Sequence, residues 1–342
     1  MGIGQAGDAM STLAADAAAA ARAAVALRWQ VVDPLLPVPS EPGATCGVDL
    51  TVTSDDGPVV ACGACRHVKP KPGTLEIAWG AASQFALTPW VAGPDVGAAL
   101  GQLLACWRAH LASLPDAADN DSAAVIRWPS RDIDGVRTLL AHGLRPLTVI
   151  AVRLAGRHNP VAATADTASD ASARGTGRAG LRIRAADSGD LDAVEQLIMA
   201  MMQYDAHFGA VRVRTDTARA ARELAAGVLA ATDPWMWLAE RDGVAVGFVQ
   251  AEVRQAASWI ASAVRPRPLA YLGQMSVLSA ERGTGVGTAL VEHVHREIDA
   301  IGAAVTLLHH AQLNPLSAPF WSRMGYRPLW TLWEVRPAAS LG

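Results

Sequence analysis

The stretch Glu281-Arg-Gly-Thr-Gly-Val-Gly-Thr-Ala-Leu290 decides the fold, because it joins an apolar run to a helical pattern through a loop nearly free of side chains. Residues 271–278 before it predict a β-strand. The helical pattern over 286–301 repeats apolar residues on one face: Val286, Leu290, Val294 and Ile298. Glycines let a ligand approach the backbone, and a helix start offers unpaired N–H groups. The stretch therefore predicts a pyrophosphate-binding loop.

The glycine spacing separates three kinds of phosphate-binding loop. A P-loop requires a lysine after its last glycine, and none follows here. A dinucleotide-binding fingerprint requires Gly-x-Gly-x-x-Gly at the start of a βαβ unit, whereas this spacing is Gly-x-Gly-x-Gly, deep in the chain. Arg282, Gly285 and Gly287 satisfy Arg/Gln-x-x-Gly-x-Gly/Ala, which resembles the acetyl-CoA loop of the GNAT superfamily of N-acetyltransferases. A plain glycine-rich turn is the alternative for this loop taken alone.

A second motif lies about thirty residues downstream, after the apolar run 303–308. Residues 314–326 resemble the superfamily pattern Asn-x-x-Ala/Ser-x-x-Phe/Leu-Tyr-x-x-x-Gly-Phe/Tyr. The matching residues are Asn314, Ser317, Phe320, Gly325 and Tyr326. The motif predicts a helix that starts at Asn-Pro and ends at Gly325, followed by a strand near 329–335.

The elements upstream of the loop follow the order that this family requires. Residues 181–184 predict a strand, and residues 191–204 and 216–230 predict two helices. Asp242-Gly243 predicts the turn of a β-hairpin over 235–254. The resemblance therefore implies an α/β fold with an α+β mixed sheet for residues 181–336.

The first half of the chain repeats the second at an offset of roughly 180 to 190 residues. Residues 91–100 align with 281–290, and Gly143-Leu-Arg-Pro-Leu147 aligns with Gly325-Tyr-Arg-Pro-Leu329. The chain is thus identified as a tandem GNAT, with two acyl-CoA N-acyltransferase folds. The arrangement is similar to that of mycothiol synthase, a tandem member with an inert first copy.

The two copies differ at the loop. Asp95 stands where the second copy has Gly285, and its carboxylate would repel a pyrophosphate, while Pro94 removes an N–H donor. We therefore expect a degenerate GNAT-like domain at 1–155, a flexible linker at 156–180 and an acetyl-CoA-binding catalytic domain at 181–342. We expect the first domain to pack on the second and to wall part of its acceptor site.

Composition restricts the binding partners and the cellular location that we expect for the protein. A formal charge of −3 gives no basic footprint for nucleic acid, and no run reaches the about 18 apolar residues of a membrane span. We expect a cytoplasmic protein, either a monomer with an internal pseudo-dimer or a homodimer. Cys62, Cys65 and His67, with Cys46 nearby, could suit zinc, but Cys62 and Cys65 fall in one predicted strand and should point apart. We expect no metal site.

The resemblance implies transfer of an acetyl group from acetyl-CoA to an amine. The strands over 271–278 and 303–308 would splay apart and admit the pantetheine arm between them. Backbone groups near Met275 and Val277 would bind its amides and polarise the thioester carbonyl. The implied cofactor contacts are Met275, Ser276, Val277, Arg282, Gly283, Thr284, Gly285, Val286, Gly287, Thr288 and Asn314. Asn314 could equally cap the helix that follows it.

The chain departs from the family where a tyrosine commonly protonates the departing thiolate. Trp321 stands there, and an indole N–H cannot act as a general acid. Either another donor acts, or the thiolate leaves unprotonated, which a thiol pKa near about 8.5 permits. Tyr326 follows the helix-ending glycine and is expected to pack.

Several residues are candidates for the general base and the acceptor site. His309 and His310 end the fifth strand, and one of them should face the cleft; Glu252 could act through water. Tyr204, Asp205 and His207 are expected in the loop between the first two helices, which commonly shapes the acceptor site in this family.

A small-molecule amine is the expected acceptor: an amino sugar, a polyamine or an amino acid. The alternative function is a non-catalytic acyl-CoA-binding sensor or scaffold protein, in which Trp321 marks lost catalysis.

Overall fold

The computed structural model describes residues 22–39, 48–53, 59–156 and 180–342. Its strands form one mixed sheet in the order β1-β2-β3-β4-β11-β5-β10-β9-β8-β7-β6. The strands are β1 Val48–Thr53, β2 Val59–Val68, β3 Ser83–Val91, β4 Ser122–Pro129, β5 Arg145–Leu154, β6 Leu181–Ala185, β7 Met236–Arg241, β8 Val244–Val253, β9 Leu269–Val277, β10 Val305–Ala311 and β11 Arg327–Val335. Cys46 and most of the predicted linker lie outside the described residues.

Helices cover both faces of the sheet. A first helix, α1, includes residues 22–32. The others are α2 Val96–Ala112, α3 Ile133–Ala141, α4 Leu191–Ala206, α5 Thr217–Leu229, α6 Val286–Ala300 and α7 Ser317–Arg323. Short 3-10 helices include Leu75–Trp79 and Arg254–Ala263. No helix of the described residues is long and apolar enough to cross a membrane.

The second half of the chain has the predicted order of strands and helices. Strands β7 and β8 form the predicted hairpin, and Asp242 and Gly243 both have positive φ, 50° and 79°. Two positive φ values in a two-residue turn match the twist of a hairpin. Helix α6 buries its predicted apolar face completely: Val286, Leu290, Val294 and Ile298. The mixed α/β fold is therefore confirmed.

The first half repeats the end of the second. In each half a strand is followed by a helix and a parallel partner strand: β3-α2-β4 in the first and β9-α6-β10 in the second. A short helix and a final strand then follow. The glycines before the final strands, Gly143 and Gly325, have φ of 77° and 88°. The two halves therefore share the order of elements that the internal repeat predicts.

The two halves exchange their last strands. Strand β11 lies between β4 and β5, antiparallel to both, although β4 and β5 belong to the first half. Strand β5 in turn pairs with β10 of the second half. The core beneath β4 accordingly contains Trp333, Val335 and Leu341 from the C-terminus. Each half therefore completes the sheet of the other, which the repeat pattern alone does not predict.

Ion pairs accompany this exchange. The Arg153 guanidinium on β5, 1% exposed, donates to both carboxylate oxygens of Asp299 at 3.1 and 2.9 Å. Arg145 on β5 contacts the buried Glu334 on β11 at 3.0 Å. Removing one partner of a buried ion pair typically costs about 3–5 kcal/mol, because the other charge is left unpaired. These pairs therefore favour the exchanged arrangement over a separated one.

The cysteines of β2 lie on opposite faces, as predicted. Cys65 packs in the core with Trp107, whereas Cys62 contacts the core on the other face, which includes Trp330. Burial raises the pKa of both thiols. Within the described ranges, no three His, Cys, Asp or Glu side chains come together as a metal site would require.

Candidate active site

A cleft opens where the two parallel strands of the second half diverge. Strands β9 and β10 pair only from Leu269–Leu272 to Val305–Leu308. Beyond Leu272, β9 keeps its partner β8, and β10 keeps β5. The cleft has a volume of about 1570 Å³ and is lined on both sides by these strand ends. The predicted splaying of the two strands is confirmed.

The free edge of β9 faces this gap. The Leu278 amide donates to the Val246 carbonyl at 2.9 Å. Backbone groups of an antiparallel strand alternate in direction, so those of Met275 and Val277 point away from β8 and toward the gap. An extended chain with amide groups can therefore add to β9 there. This geometry is compatible with backbone contacts from Met275 and Val277, whereas the backbone groups of Ser276 point toward β8.

The glycine-rich loop lies at the mouth of the same cleft. Gly283 and Gly285 have φ of 80° and 90°, a conformation that directs successive N–H groups into a concave anion-binding surface. A Cβ on Gly287 would lie 2.9 Å from Met275 Cε. Backbone conformation therefore favours glycine at Gly283 and Gly285, whereas a Cβ at Gly287 would have to displace the flexible end of Met275.

Not every predicted loop residue presents its side chain to the cleft. The Thr284 hydroxyl donates to the Glu281 carbonyl at 2.8 Å, and Val286 is fully buried in the core. Arg282, Gly283, Gly285, Gly287 and Thr288 line the cleft. Val286 can therefore contribute only its backbone N–H group, and the Thr284 N–H already donates to the Glu281 carbonyl at 3.4 Å.

The corresponding loop of the first half is closed to an anion by its own side chain. The Asp95 carboxylate accepts a hydrogen bond from the Ala98 N–H at 2.9 Å, at the start of α2. Ala98 aligns with Thr288 of the second copy. Gly93, which aligns with Gly283, does not have positive φ. Asp95 thus occupies a backbone donor that a phosphate would need.

The last turn of α4 forms one wall beside the glycine loop. Tyr204 and Asp205 belong to this helix, so the prediction that they lie in a loop is wrong; the helix continues to Ala206, and Gly209 follows with φ of 77°. The Arg282 guanidinium lies 4.1 Å from the Tyr204 ring centroid. The exposed His207 caps the helix and does not line the cleft.

Asp205 and Asn314 join this wall to the loop before α7. The Asn314 side-chain amide donates to Asp205 Oδ1 at 2.9 Å, and its oxygen accepts from the Leu316 N–H at 3.0 Å. Burial raises the pKa of Asp205, against the opposing effects of the Asn314 hydrogen bond and Arg282. Asn314 therefore orders the chain before α7 while lining the cleft.

A polar aromatic cluster lies deeper in the cleft. Trp259 Nε1 donates to Glu252 Oε2 at 2.7 Å, and the Trp259 ring stacks on His309 at 6.2 Å between centroids. The Tyr271 hydroxyl is 2.9 Å from His309 Nδ1. The structure thus brings together two of the predicted base candidates, Glu252 and His309. Sequence reasoning missed Tyr271, because a tyrosine at a strand start looks like a core residue.

The surrounding protein shifts the pKa of each ionisable group in this cluster. Burial raises the pKa of Glu252, and the Trp259 hydrogen bond partly opposes it. The surrounding protein and the nearby Arg127 lower the pKa of His309, although its ring stays exposed to the open cleft. Burial and the Glu252 charge raise the pKa of Tyr271. At neutral pH, His309 and Tyr271 are therefore uncharged, and Glu252 is the better proton acceptor.

His310 points to the opposite face of β10 from His309 but also reaches the cleft. Burial lowers its pKa, and its Nδ1 is 3.2 Å from the Ala311 carbonyl. A carbonyl only accepts, so this contact places the proton on Nδ1. His310 is thus a neutral imidazole separate from the Glu252 cluster.

Helix α7 supplies an indole and a hydroxyl to the cleft: Trp321, which is 9% exposed, and Ser317. The Tyr326 hydroxyl lies 3.0 Å from His295 Nε2 in the core. Tyr326 is therefore a packing residue, as predicted, and is not available to a departing thiolate.

The first half of the chain forms part of the cleft wall, as expected for a packed first copy. Its lining side chains come from the 3-10 helix Leu75–Trp79 and from β4 and β5. They are Leu75, Glu76, Trp79, Arg127, Thr148 and Ile150.

One protein-family profile and several solved structures resemble this chain. The family profile described as Acetyltransferase (GNAT) domain matches residues 233–328. No curated protein matches the chain. A GCN5-related N-acetyltransferase structure from Sphaerobacter thermophilus is 15% identical, covers 84% of this chain and 80% of its own, and has a TM-score of 0.49. A tandem GNAT protein from the clavulanic acid biosynthesis pathway is 17% identical over 88% of this chain and 86% of its own, with a TM-score of 0.39. An aminoglycoside N-acetyltransferase in complex with CoA is 20% identical over 44% of this chain and 89% of its own, with a TM-score of 0.36.

The matched residues 233–328 include β9, the glycine loop, β10 and α7, which together form the cleft. Residues 233–328, in the second half of the chain, match the GNAT acetyltransferase domain, which supports assignment to the GNAT superfamily and an acyltransferase activity.

Proposed function

We propose that the protein transfers the acetyl group of acetyl-CoA to a primary amine of a small molecule, by direct attack in a ternary complex. The observation that carries this proposal is the continuous cleft from the Gly283–Gly287 loop, along the free edge of β9, to Glu252 and His309. A phosphate group, an extended amide chain and an amine fit its successive parts. Cofactor and acceptor can therefore occupy it together.

The cofactor end of the cleft binds by backbone groups. The N–H groups of Gly283 and of residues 285–288 at the start of α6 would hold the pyrophosphate, because they direct positive partial charge at one point. The N–H groups of Arg282 and Thr284 already donate to loop carbonyls. The edge of β9 at Met275 and Val277 would bind the pantetheine amides. A backbone N–H there would also stabilise the negative charge that develops on the thioester oxygen during attack.

Glu252 is the proposed general base. An amine must lose a proton before its nitrogen can attack the thioester carbon. The raised pKa of Glu252 makes its carboxylate a stronger base, and so better able to take that proton. Trp259 and Gln250 both hydrogen-bond the Glu252 carboxylate, and the amine or an intervening water would approach its remaining lone pairs. The new C–N bond forms, the C–S bond breaks, and the CoA sulfur leaves as a thiolate.

His309 and Tyr271 would position the acceptor beside Glu252. If the Tyr271 hydroxyl donates to His309 Nδ1, the ring carries its proton on Nε2 and donates into the cleft. No group on α7 replaces the usual acid, since Trp321 cannot titrate. The thiolate would leave unprotonated, as its pKa of about 8.5 permits.

The test is a panel of primary amines incubated with acetyl-CoA, with CoA release and the mass of the acetylated amine measured together. We expect equal amounts of both products for at least one class of amine. A reaction without amine measures thioester hydrolysis and is the control. Tight acetyl-CoA binding with no acetylated product from any amine would instead favour the sensor or scaffold function.

A further inference from the structure

An arginine of the first half lies in the cleft without an acidic partner. Arg127 on β4 lines the cleft, and its guanidinium lies 4.7 Å from the Trp330 ring centroid. Among the residues that the structure describes, no carboxylate forms an ion pair with Arg127. The neighbouring arginines differ in this respect, since Arg145 and Arg153 each contact a carboxylate within 3.0 Å.

The sheet register places Arg127 on the acceptor side of the cleft. Arg127 pairs with Leu332, Leu332 with Thr148, and Ile150 with His309. Directly paired residues, and residues two apart on a strand, point to the same face of a sheet. Arg127 and His309 therefore share one face, and the exchange of β11 and β5 creates this shared face.

The environment of Arg127 favours binding of an anion by its free edge. The indole of Trp330 is fixed by a 2.7 Å hydrogen bond to the Ala263 carbonyl, and it covers one face of the guanidinium. Stacking holds the guanidinium plane and leaves its N–H groups at the edge, in the fork that matches a carboxylate. The Arg127 side chain is exposed to the cleft, so its N–H groups are open to a bound anion.

We propose that Arg127 binds a carboxylate of the acceptor, so that the substrate is a molecule with both a primary amine and a carboxylate. This proposal rests on the acetyltransferase function and narrows its acceptor class to amino acids and their relatives. The amine would lie at Glu252 while the carboxylate lies at Arg127. A single guanidinium suits the single charge of a carboxylate, and Glu76 and Glu252 on the same cleft disfavour a doubly charged group. The degenerate first half would thus supply acceptor specificity.

The experiment compares amines that differ in one carboxylate: lysine with cadaverine, ornithine with putrescine, and phenylalanine with phenethylamine. For the wild-type protein we expect kcat/KM to be about 10- to 100-fold higher for the carboxylate member, the range of a charge-assisted hydrogen bond. Arg127→Met should abolish the preference while leaving the KM for acetyl-CoA unchanged. Arg127→Lys should restore part of it. Arg137→Met, on the exposed face of α3, is the matched control and should change nothing.

Equal rates for both members of each pair would overturn the proposal, and so would a preference that survives Arg127→Met. Faster acetylation of phosphoethanolamine than of β-alanine would overturn the assignment to a carboxylate. If no amine is acetylated, the proposed function fails, and equilibrium binding of the same amino acids to the CoA-loaded protein decides the role of Arg127. Binding that Arg127→Met weakens at least tenfold would support it, and binding that is absent or unchanged would refute it.

Discussion

Gly285→Asp tests the difference between the two loops, because it gives the second copy the residue of the first. In the first copy, the Asp95 carboxylate accepts the Ala98 N–H, and the equivalent donor in the second copy is the Thr288 N–H. The substituted carboxylate would take this donor from the pyrophosphate. It would also place a negative charge beside a negatively charged ligand.

Two effects determine how much binding free energy for acetyl-CoA is lost in Gly285→Asp. Losing one hydrogen bond to a charged group costs about 1.5–3 kcal/mol of binding free energy. Repulsion between the carboxylate and the pyrophosphate adds to this loss. A total of about 3 kcal/mol or more weakens acetyl-CoA binding by more than about 100-fold, since about 1.4 kcal/mol corresponds to tenfold.

Gly285→Ala is the matched control. Gly285 has φ of 90°, so either substitution strains the backbone, at roughly 1–2 kcal/mol of folding free energy. Alanine adds no charge and accepts no hydrogen bond, so we expect it to weaken binding less than about tenfold. Isothermal titration calorimetry with acetyl-CoA measures both variants, and thermal unfolding confirms that both are folded. Wild-type affinity in Gly285→Asp would refute this account of the loop.

Three further changes test the catalytic and architectural claims. Glu252→Gln should lower kcat/KM by about 10²- to 10⁴-fold and remove the rise of kcat/KM with pH through the raised Glu252 pKa. The unfolding temperature of Glu252→Gln at pH 7 should not fall, because a raised pKa means that the folded state disfavours the carboxylate. Protonation of Glu252 therefore stabilises the folded state as the pH falls toward that pKa. If kcat/KM of the variant kept the wild-type dependence on pH, Glu252 would be excluded as the base. Trp321→Tyr should change kcat by no more than a few-fold if the thiolate leaves unprotonated, so a rise of about 100-fold in stopped-flow assays would show that an acid is limiting. Deleting residues 1–155 removes β4 and β5 and leaves β11 without either neighbour. Circular dichroism should show no cooperative unfolding of the remaining fragment 156–342, and co-expression with fragment 1–155 should restore it. A stable, cooperatively unfolding fragment 156–342 would contradict the importance of the strand exchange.

The local elements of the second half could be predicted from sequence because each has a local cause. The glycine loop, the helix face through Leu290 and the Asp242-Gly243 turn all depend on backbone freedom or on periodicity within a few residues. The internal repeat predicted the first copy of the fold, and Asp95 at the position of Gly285 predicted that the loop of this copy is altered. The end of α4 was misplaced, because Tyr204 to Ala206 carry no stop signal and the helix-ending glycine comes only at Gly209.

The strand exchange could not be predicted, because pairing partners depend on contacts between distant segments. Strands β5 and β11 have similar sequences after their glycines, so either could lie beside β4 or β10 as far as hydrophobic pattern is concerned. The acceptor side of the site depends on this exchange. Arg127 and His309 lie in different halves of the chain, and only the order of β4, β11, β5 and β10 places them on one face.

The number of acetyl-CoA molecules bound per chain tests the central claim most directly. Of the two aligned loops, the one at Gly283–Gly287 has two glycines in the left-handed conformation that favours anion binding, whereas Asp95 occupies a backbone donor in its counterpart. Calorimetric titration of the full-length protein is therefore expected to give one site per chain. A stoichiometry of two, or no binding at all, would contradict the account.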